Sequence, residues 1–253
     1  MDQPHRSSAL QLGLLVFGAL AVLTAVEFTL ALTINLWQLL ILIGLTKAGL
    51  VLYYYMHISR IFEADTDSNR ESFAYKLLTN RIGLWAFLVS DSFIFGGLLL
   101  SRVNLLGLTR PDLTQVLGLT VTSILLISSF FANRAEVSME FGDRKGFLLS
   151  TAMTMSLGIL FLIGVMGVEW RLAPFGPADG MQGAIFYVMT GFHAFHVFPG
   201  VIFLAIVLRN GLRGLYSAEK HWAVEASVVY WHFVDVVWFF FYPALYLIGT
   251  LAK

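Results

Sequence analysis

The sequence predicts an all-α, polytopic membrane protein with seven transmembrane helices, arranged as a two-helix hairpin plus a five-helix bundle. Three observations predict it. Hydrophobic residues make up 58% of the 253-residue chain and charged residues only 13%, against about 25% charged in an ordinary soluble domain. Seven runs, at residues 12–32, 36–56, 82–100, 113–132, 147–168, 184–208 and 226–250, approach the ~20 apolar residues that cross a ~30 Å hydrocarbon core as a helix. Lys and Arg are also biased to one side of these runs. Eleven of them (Arg6, Arg60, Arg70, Lys76, Arg81, Arg134, Arg144, Lys145, Arg209, Arg213, Lys220) fall on the N-terminal side and four (Arg102, Arg110, Arg171, Lys253) on the other. The bias predicts a cytoplasmic N-terminus and an exterior C-terminus.

The first run follows Arg6 and is long for the apolar core of a signal peptide, so it is expected to remain as an anchor. A few residues around positions 33–35 join it to the second run, which forces a tight antiparallel hairpin. Residues 63–72 are polar without apolar periodicity, and read as a solvated cytoplasmic linker. The division expected is therefore a hairpin at 1–62, a linker at 63–72 and a five-helix bundle at 73–253. Connections of about 12–18 residues between the later runs force sequential neighbours to pack antiparallel. Small residues such as Gly96, Gly97, Gly158, Gly164, Gly167, Gly191 and Gly200 permit close helix approach.

Composition excludes several functions. A net charge of zero gives no basic face for nucleic acid. The absence of cysteine removes disulfides, thiolate zinc, iron–sulfur clusters and thiolate copper. Any redox centre would rest on histidine.

Ionisable groups at membrane depth are costly and mark partnered or functional positions. Asp91 lies ten residues beyond Arg81, Asp235 ten and His232 seven beyond Glu225, and His196 thirteen before Arg209. At 1.5 Å per residue these four fall in a slab of roughly 10 Å, where one polar cluster would hold them all. His193 and His196 share a face at i, i+3, as do His232 and Asp235. Four readings stand: interhelical hydrogen bonds, a proton relay, a histidine metal or haem site, and polar contact with lipid headgroups. Glu27 and Lys47 are offset by six residues, ~9 Å, across the hairpin, so pairing, snorkelling and a partner in another subunit are all open. Tyr53, Tyr54 and Tyr55 read as an interfacial aromatic belt, and Glu169 beside Trp170 and Arg171 as a local ion pair or anchor. Trp231 and the other aromatics of the last run read as lipid-facing or interhelical packing.

Three of these stretches carry a family resemblance. Residues 83–97 with Trp85, Ser90 and Asp91, residues 190–197 with His193 and His196, and residues 230–238 with Trp231, His232, Asp235 and Trp238 together resemble subunit III of haem-copper oxygen reductases, including cytochrome c oxidase. Residues 46–57, from Thr46 and Lys47 to His57, resemble bacterial subunit IV, so the chain looks like a subunit IV-like hairpin fused in front of a subunit III.

The resemblance implies an accessory, non-catalytic subunit of a proton-pumping terminal oxidase of the aa3 or caa3 kind, in a bacterial cytoplasmic (inner) membrane. It implies subunit I and subunit II as partners, haem and copper held there and none in this chain, no metal site, bound phospholipid, and support of assembly and proton uptake during oxygen reduction. The family's acidic residue in the first motif is typically glutamate, whereas this chain has Asp91, one methylene shorter. Glu169 matches the family's exterior acidic position. Rival readings are a proton-coupled transporter using Asp91, His196, His232 and Asp235, a haem electron carrier, and an accessory protein of a nitric oxide reductase.

Overall fold

The computed structural model describes residues 6–34, 36–58 and 73–251. The expected linker at 63–72, together with Arg60, Arg70 and Lys253 from the charge count, lies outside them. All seven expected spans are helices long and apolar enough to cross a membrane. They are α1 (Arg6–Thr33), α2 (Trp37–Leu50), α3 (Phe73–Leu106), α4 (Gln115–Glu140), α5 (Arg144–Leu162), α7 (Gly180–Leu212) and α8 (Trp222–Tyr242). Three of them end in π-helical turns: α2 in Val51–Tyr55, α5 in Ile163–Glu169 followed by the short α6 (Trp170–Leu172), and α8 in Pro243–Leu247.

Hydrocarbon leaves the backbone no partner but itself, which selects helices. Hydroxyl residues inside the spans fold back on the preceding turn, as Thr24 does on Leu20 O at 2.9 Å and Thr151 on Phe147 O at 2.8 Å. The helices outrun the apolar runs at their ends. Connections among the later spans are consequently shorter than expected, at 107–114, 141–143, 173–179 and 213–221.

The tightest of these turns shows how sequence sets the geometry. Gly142 adopts a left-handed φ of 73°, and the Asp143 N–H donates to Ser138 O at 2.8 Å, the bond that closes a helix with glycine just past its end. Asp143 then accepts from Gly146 N at 3.1 Å and caps α5. Arg6, at the start of α1, forms an ion pair with the same carboxylate. Three helix ends thus meet on one residue.

The last helix is the axis of the molecule. In its span 89% is buried, whereas the α3 span is 17% buried. α8 packs on α4, α7, α3 and α2, while α1 packs on α4, α4 on α5 and α5 on α7. The hairpin therefore docks on the α4 and α8 flank of the bundle, and α3 packs on α8 and α7. Trp231 and Trp238 are wholly buried, so the aromatic run of α8 is interhelical packing, not lipid-facing surface. Trp231 lies against Gly158 of α5 and Gly200 of α7. Gly96 and Gly97 differ: a side chain at either would meet nothing within 4 Å, so they bring no two helices of this chain together.

At the far end from the N-terminus, β1 (Thr109–Arg110) pairs in parallel with β2 (Thr250–Leu251). Arg102 closes this end. Its guanidinium donates to Ala244 O at 2.7 Å, Gly107 O at 2.6 Å, Thr109 O at 2.9 Å and Ile248 O at 3.0 Å.

Candidate functional site: paired ionisable groups inside the bundle

The structure divides the expected single cluster into two separate pairs. The first joins α3 to α7, with His196 Nε2 3.2 Å from Asp91 Oδ2. His196 Nδ1 is 2.8 Å from Phe192 O, and a carbonyl only accepts, so Nδ1 carries a hydrogen. Nε2 therefore faces the carboxyl at ion-pair distance. Despite its shorter stem, Asp91 reaches the imidazole. Phe95 stacks edge-on at 4.7 Å, and the Tyr230 hydroxyl donates to His196 O at 3.0 Å.

The second pair lies within α8. His232 Nδ1 is 2.9 Å from Ser129 Oγ of α4 and 3.4 Å from Asp235 Oδ2. Serine, histidine and aspartate here do not form a nucleophile relay, because both oxygens converge on the same ring nitrogen instead of flanking the ring. All three residues are also closed to solvent. The hairpin completes the pair: the Tyr55 ring lies 4.9 Å from the His232 ring, and its hydroxyl donates to Gly13 O at 2.7 Å.

Several expected placements change. His193 and His196 do not act as a unit. His193 turns into the core against Trp238 at 4.9 Å and Phe161 at 5.6 Å, so the two rings do not converge on a shared metal position. Among the described residues no group of three or more His, Asp or Glu side chains is placed to hold a metal ion. Trp231 is not on the lipid side; its indole N–H donates to Ser128 Oγ at 3.0 Å, deep in the bundle. Tyr55 leaves the aromatic belt for the core because it continues the buried face of α2, four residues beyond Val51, while Tyr53 stays 60% exposed. Glu169 makes no local ion pair. It ends another π-helical turn, is buried, and accepts from the Tyr246 hydroxyl at 2.7 Å.

Glu27 and Lys47 meet directly. Lys47 Nζ lies 2.6 Å from Glu27 Oε2 with both side chains wholly buried, which rules out snorkelling. The lysine stem spans the helical offset, and its ammonium also faces the Phe239 ring of α8 at 5.1 Å.

Beside these pairs runs an apolar groove of about 450 Å³ between the end of α2, α3 and α8, lined by Trp85, Leu88, Phe95, Gly96, Phe233 and Phe240 among others. Asp91 lies one helical turn from groove-lining Leu88 and Phe95. Sequence reading missed Arg102, counted there as a loop charge, and Ser129, the partner of His232. A signal for Ser129 was present: Ser129, Asn133, Glu136 and Glu140 recur at three- and four-residue steps along one face of an otherwise apolar helix.

Fold and site together define a class, an integral membrane helical protein whose buried ionisable side chains lie in pairs inside the bundle. Comparison with known proteins narrows it. Residues 7–250 match the family model described as cytochrome c oxidase subunit III, and the chain belongs to that family. Cytochrome c oxidase subunit 3 of Sus scrofa is 34% identical over 226 residues, covering 84% of this chain and 85% of the pig protein. The subunits 3 of Gadus morhua and Cyprinus carpio are 41% and 40% identical over 144 residues, covering 57% of this chain. The chain thus spans about half the length of these fish relatives, 54% in each. The family match takes in α1 and α2 as well as the later helices.

Proposed function

We propose that this chain is the accessory, non-catalytic subunit III of a proton-pumping terminal oxidase of the aa3 or caa3 kind. The observation that carries the reading is a family match that spans residues 7–250 and so takes in all three motif-bearing helices. Its partners are subunit I and subunit II, which hold the haem and copper, and its own work is assembly and support of sustained proton uptake. The paired Asp91 and His196, and His232 and Asp235, serve that work by fixing α3, α4, α7 and α8 against one another. The groove takes phospholipid acyl chains. Its wall is almost wholly hydrocarbon, and its volume suits flexible chains better than a polar solute.

The membrane is the bacterial cytoplasmic membrane, with the N-terminus inside and the C-terminus outside, as the Lys and Arg bias directs. Residues 1–62, 63–72 and 73–253 form a subunit IV-like hairpin, a linker and a five-helix unit. The start of the family match inside α1 supports treating the hairpin as an integral part of this subunit, whatever its sequence likeness. Purification of the chain from its native membrane tests the assignment. A larger complex with a haem spectrum and oxygen consumption is expected; a chain that purifies without any haem-bearing partner overturns it, and a complex that reduces nitric oxide but not oxygen reassigns it.

A further inference from the structure

A cavity of about 280 Å³ opens on the N-terminal face between α1, the π-helical turn of α2 and α4. Its wall mixes apolar Ala9, Leu12 and Val16 with polar Tyr54, His57, Asn133 and Glu140. Water occupies such a space readily. A molecule needs about 30 Å³ and two to four polar partners, and both are present. At the inner end of the cavity stands Tyr55, hydrogen-bonded to Gly13 O at 2.7 Å. The centre of that ring lies 4.9 Å from the centre of the His232 ring.

A second feature leads the same way. Ser129, Asn133, Glu136 and Glu140 form a polar stripe down α4, ~16 Å long at 1.5 Å per residue. Glu140 and Asn133 line the cavity, His57 Nδ1 lies 3.9 Å from Glu136 Oε1, and Ser129 holds His232. The stripe and the cavity therefore converge on the same buried pair from one side of the membrane. Beyond it the route closes. The hydroxyls of Ser128 and Thr122 are taken by the indoles of Trp231 at 3.0 Å and Trp238 at 2.9 Å. The Asp235 carboxyl is wholly buried 3.4 Å from His232 Nδ1, and its oxygens keep lone pairs that can accept from an arriving water.

The geometry points to a one-sided aqueous half-path from the N-terminal face to His232 and Asp235, gated by Tyr55 and occupied by water or hydronium. It connects the pair to one aqueous phase and, ending at the two tryptophans, does not cross the membrane. The groups that face it are His57, Tyr54 and Tyr55 of the hairpin, Glu136 and Glu140 of α4, and His232 and Asp235 of α8. This reading stands on geometry alone and is independent of which complex the chain joins.

The test uses the full chain in sealed vesicles and a membrane-impermeant carbodiimide with an amine nucleophile, with modification of Asp235 read by peptide mass spectrometry. Reagent added on the N-terminal side should modify Asp235 slowly, and reagent on the other side should not. Tyr55→Phe, which removes only the bond to Gly13, should raise the rate about fivefold, the effect of one lost hydrogen bond on a local opening. Tyr55→Ala should raise it further. Filling the cavity with Ala9→Phe should lower the rate in the native and in the Tyr55→Phe background. The half-path is ruled out if Asp235 reacts equally from both sides, or if neither Tyr55→Phe nor Ala9→Phe changes its rate. Loss of Tyr55→Ala to misfolding leaves the decision to those two milder variants.

Discussion

Lys47 Nζ and Glu27 Oε2 are 2.6 Å apart with neither side chain reaching the surface, and the pair sits where the hairpin meets α8. The second carboxylate oxygen and the nearby Tyr242 hydroxyl have no other hydrogen-bond partner among the described residues. Removing one member of a buried pair strands the other charge, a loss of about 3–5 kcal/mol, whereas replacing both by apolar groups is often neutral. Lys47→Met should therefore destabilise the chain strongly, and Glu27→Leu combined with Lys47→Met should recover most of the loss. Unfolding of the purified chain in mixed micelles measures both; equal stability of single and double variants would refute the pairing.

Arg102 is buried on four main-chain carbonyls, with no carboxylate beside it among the described residues. Planar, forked donors make that possible, and an ammonium cannot reproduce them. Arg102→Lys should leave two or more carbonyls unsatisfied and cost about 3 kcal/mol, on the scale of ~1–3 kcal/mol per stranded buried group. The effect should be local. Hydrogen exchange should quicken at residues 243–251 and at β1 before any other segment, and uniform quickening along the chain would contradict the staple.

Gly158 and Gly97 are both small residues in spans, yet only the first has a neighbour to displace. A side chain at Gly158 would run into the Trp231 ring, whereas one at Gly97 meets nothing within 4 Å. Gly158→Val should cost about 1–3 kcal/mol as overpacking. Gly97→Ala in the isolated chain should stay within about 0.5 kcal/mol of native. A melting comparison of the two variants reads the difference directly.

The division between what the sequence showed and what it hid follows helix geometry. Seven spans were legible because hydrocarbon imposes one requirement on length and composition. The nearness of Asp91 to His196 and of His232 to Asp235 was legible too, since rise per residue converts sequence position into height along a helix. Rotation about each helix axis was not. His193 and His196 differ by three positions, and that small rotation sends one ring into the core and the other toward Asp91. Tyr55 and Glu169 follow buried Val51 and Val165 by four residues each and so lie on the inward faces of their helices, faces that a charged or tyrosine-rich stretch near a span end does not reveal by itself. Lys47 bridges the helix offset with its own stem to reach Glu27, one of the placements the offset left open.

Asp235 separates a packing role from a catalytic one. Asp235→Leu removes the carboxyl beside His232 and should weaken complex assembly or shorten sustained turnover, with the haem content of assembled complexes unchanged. Absorbance of haem per complex and the decay of oxygen consumption over many turnovers test this. An assembled complex that had lost its haem would place Asp235 at a cofactor and sink the assignment.

Asp143 gives a pH dependence whose sign can be worked out. The Gly146 N–H, and secondarily Arg6, hold its carboxyl below the usual carboxylate range. A carboxyl with a lowered folded-state pKa contributes stability that is fully present above its unfolded value of about 3.9. That contribution is lost as pH falls through the folded value. The turn between α4 and α5 and the start of α1 should accordingly loosen together on acidification below about pH 4, while remaining indifferent between pH 6 and 8 on the order of measurement error. Two substitutions divide the causes. Asp143→Asn keeps a cap acceptor for Gly146 but not the charge, so it should abolish the acid-dependent release of α1 while leaving α5 near native. Asp143→Ala should lose both and cost about 1 kcal/mol more at the α5 terminus. Segment-resolved hydrogen exchange across the acid range distinguishes them; an Asp143→Asn chain whose α1 still loosens with acid would show that another carboxylate holds Arg6.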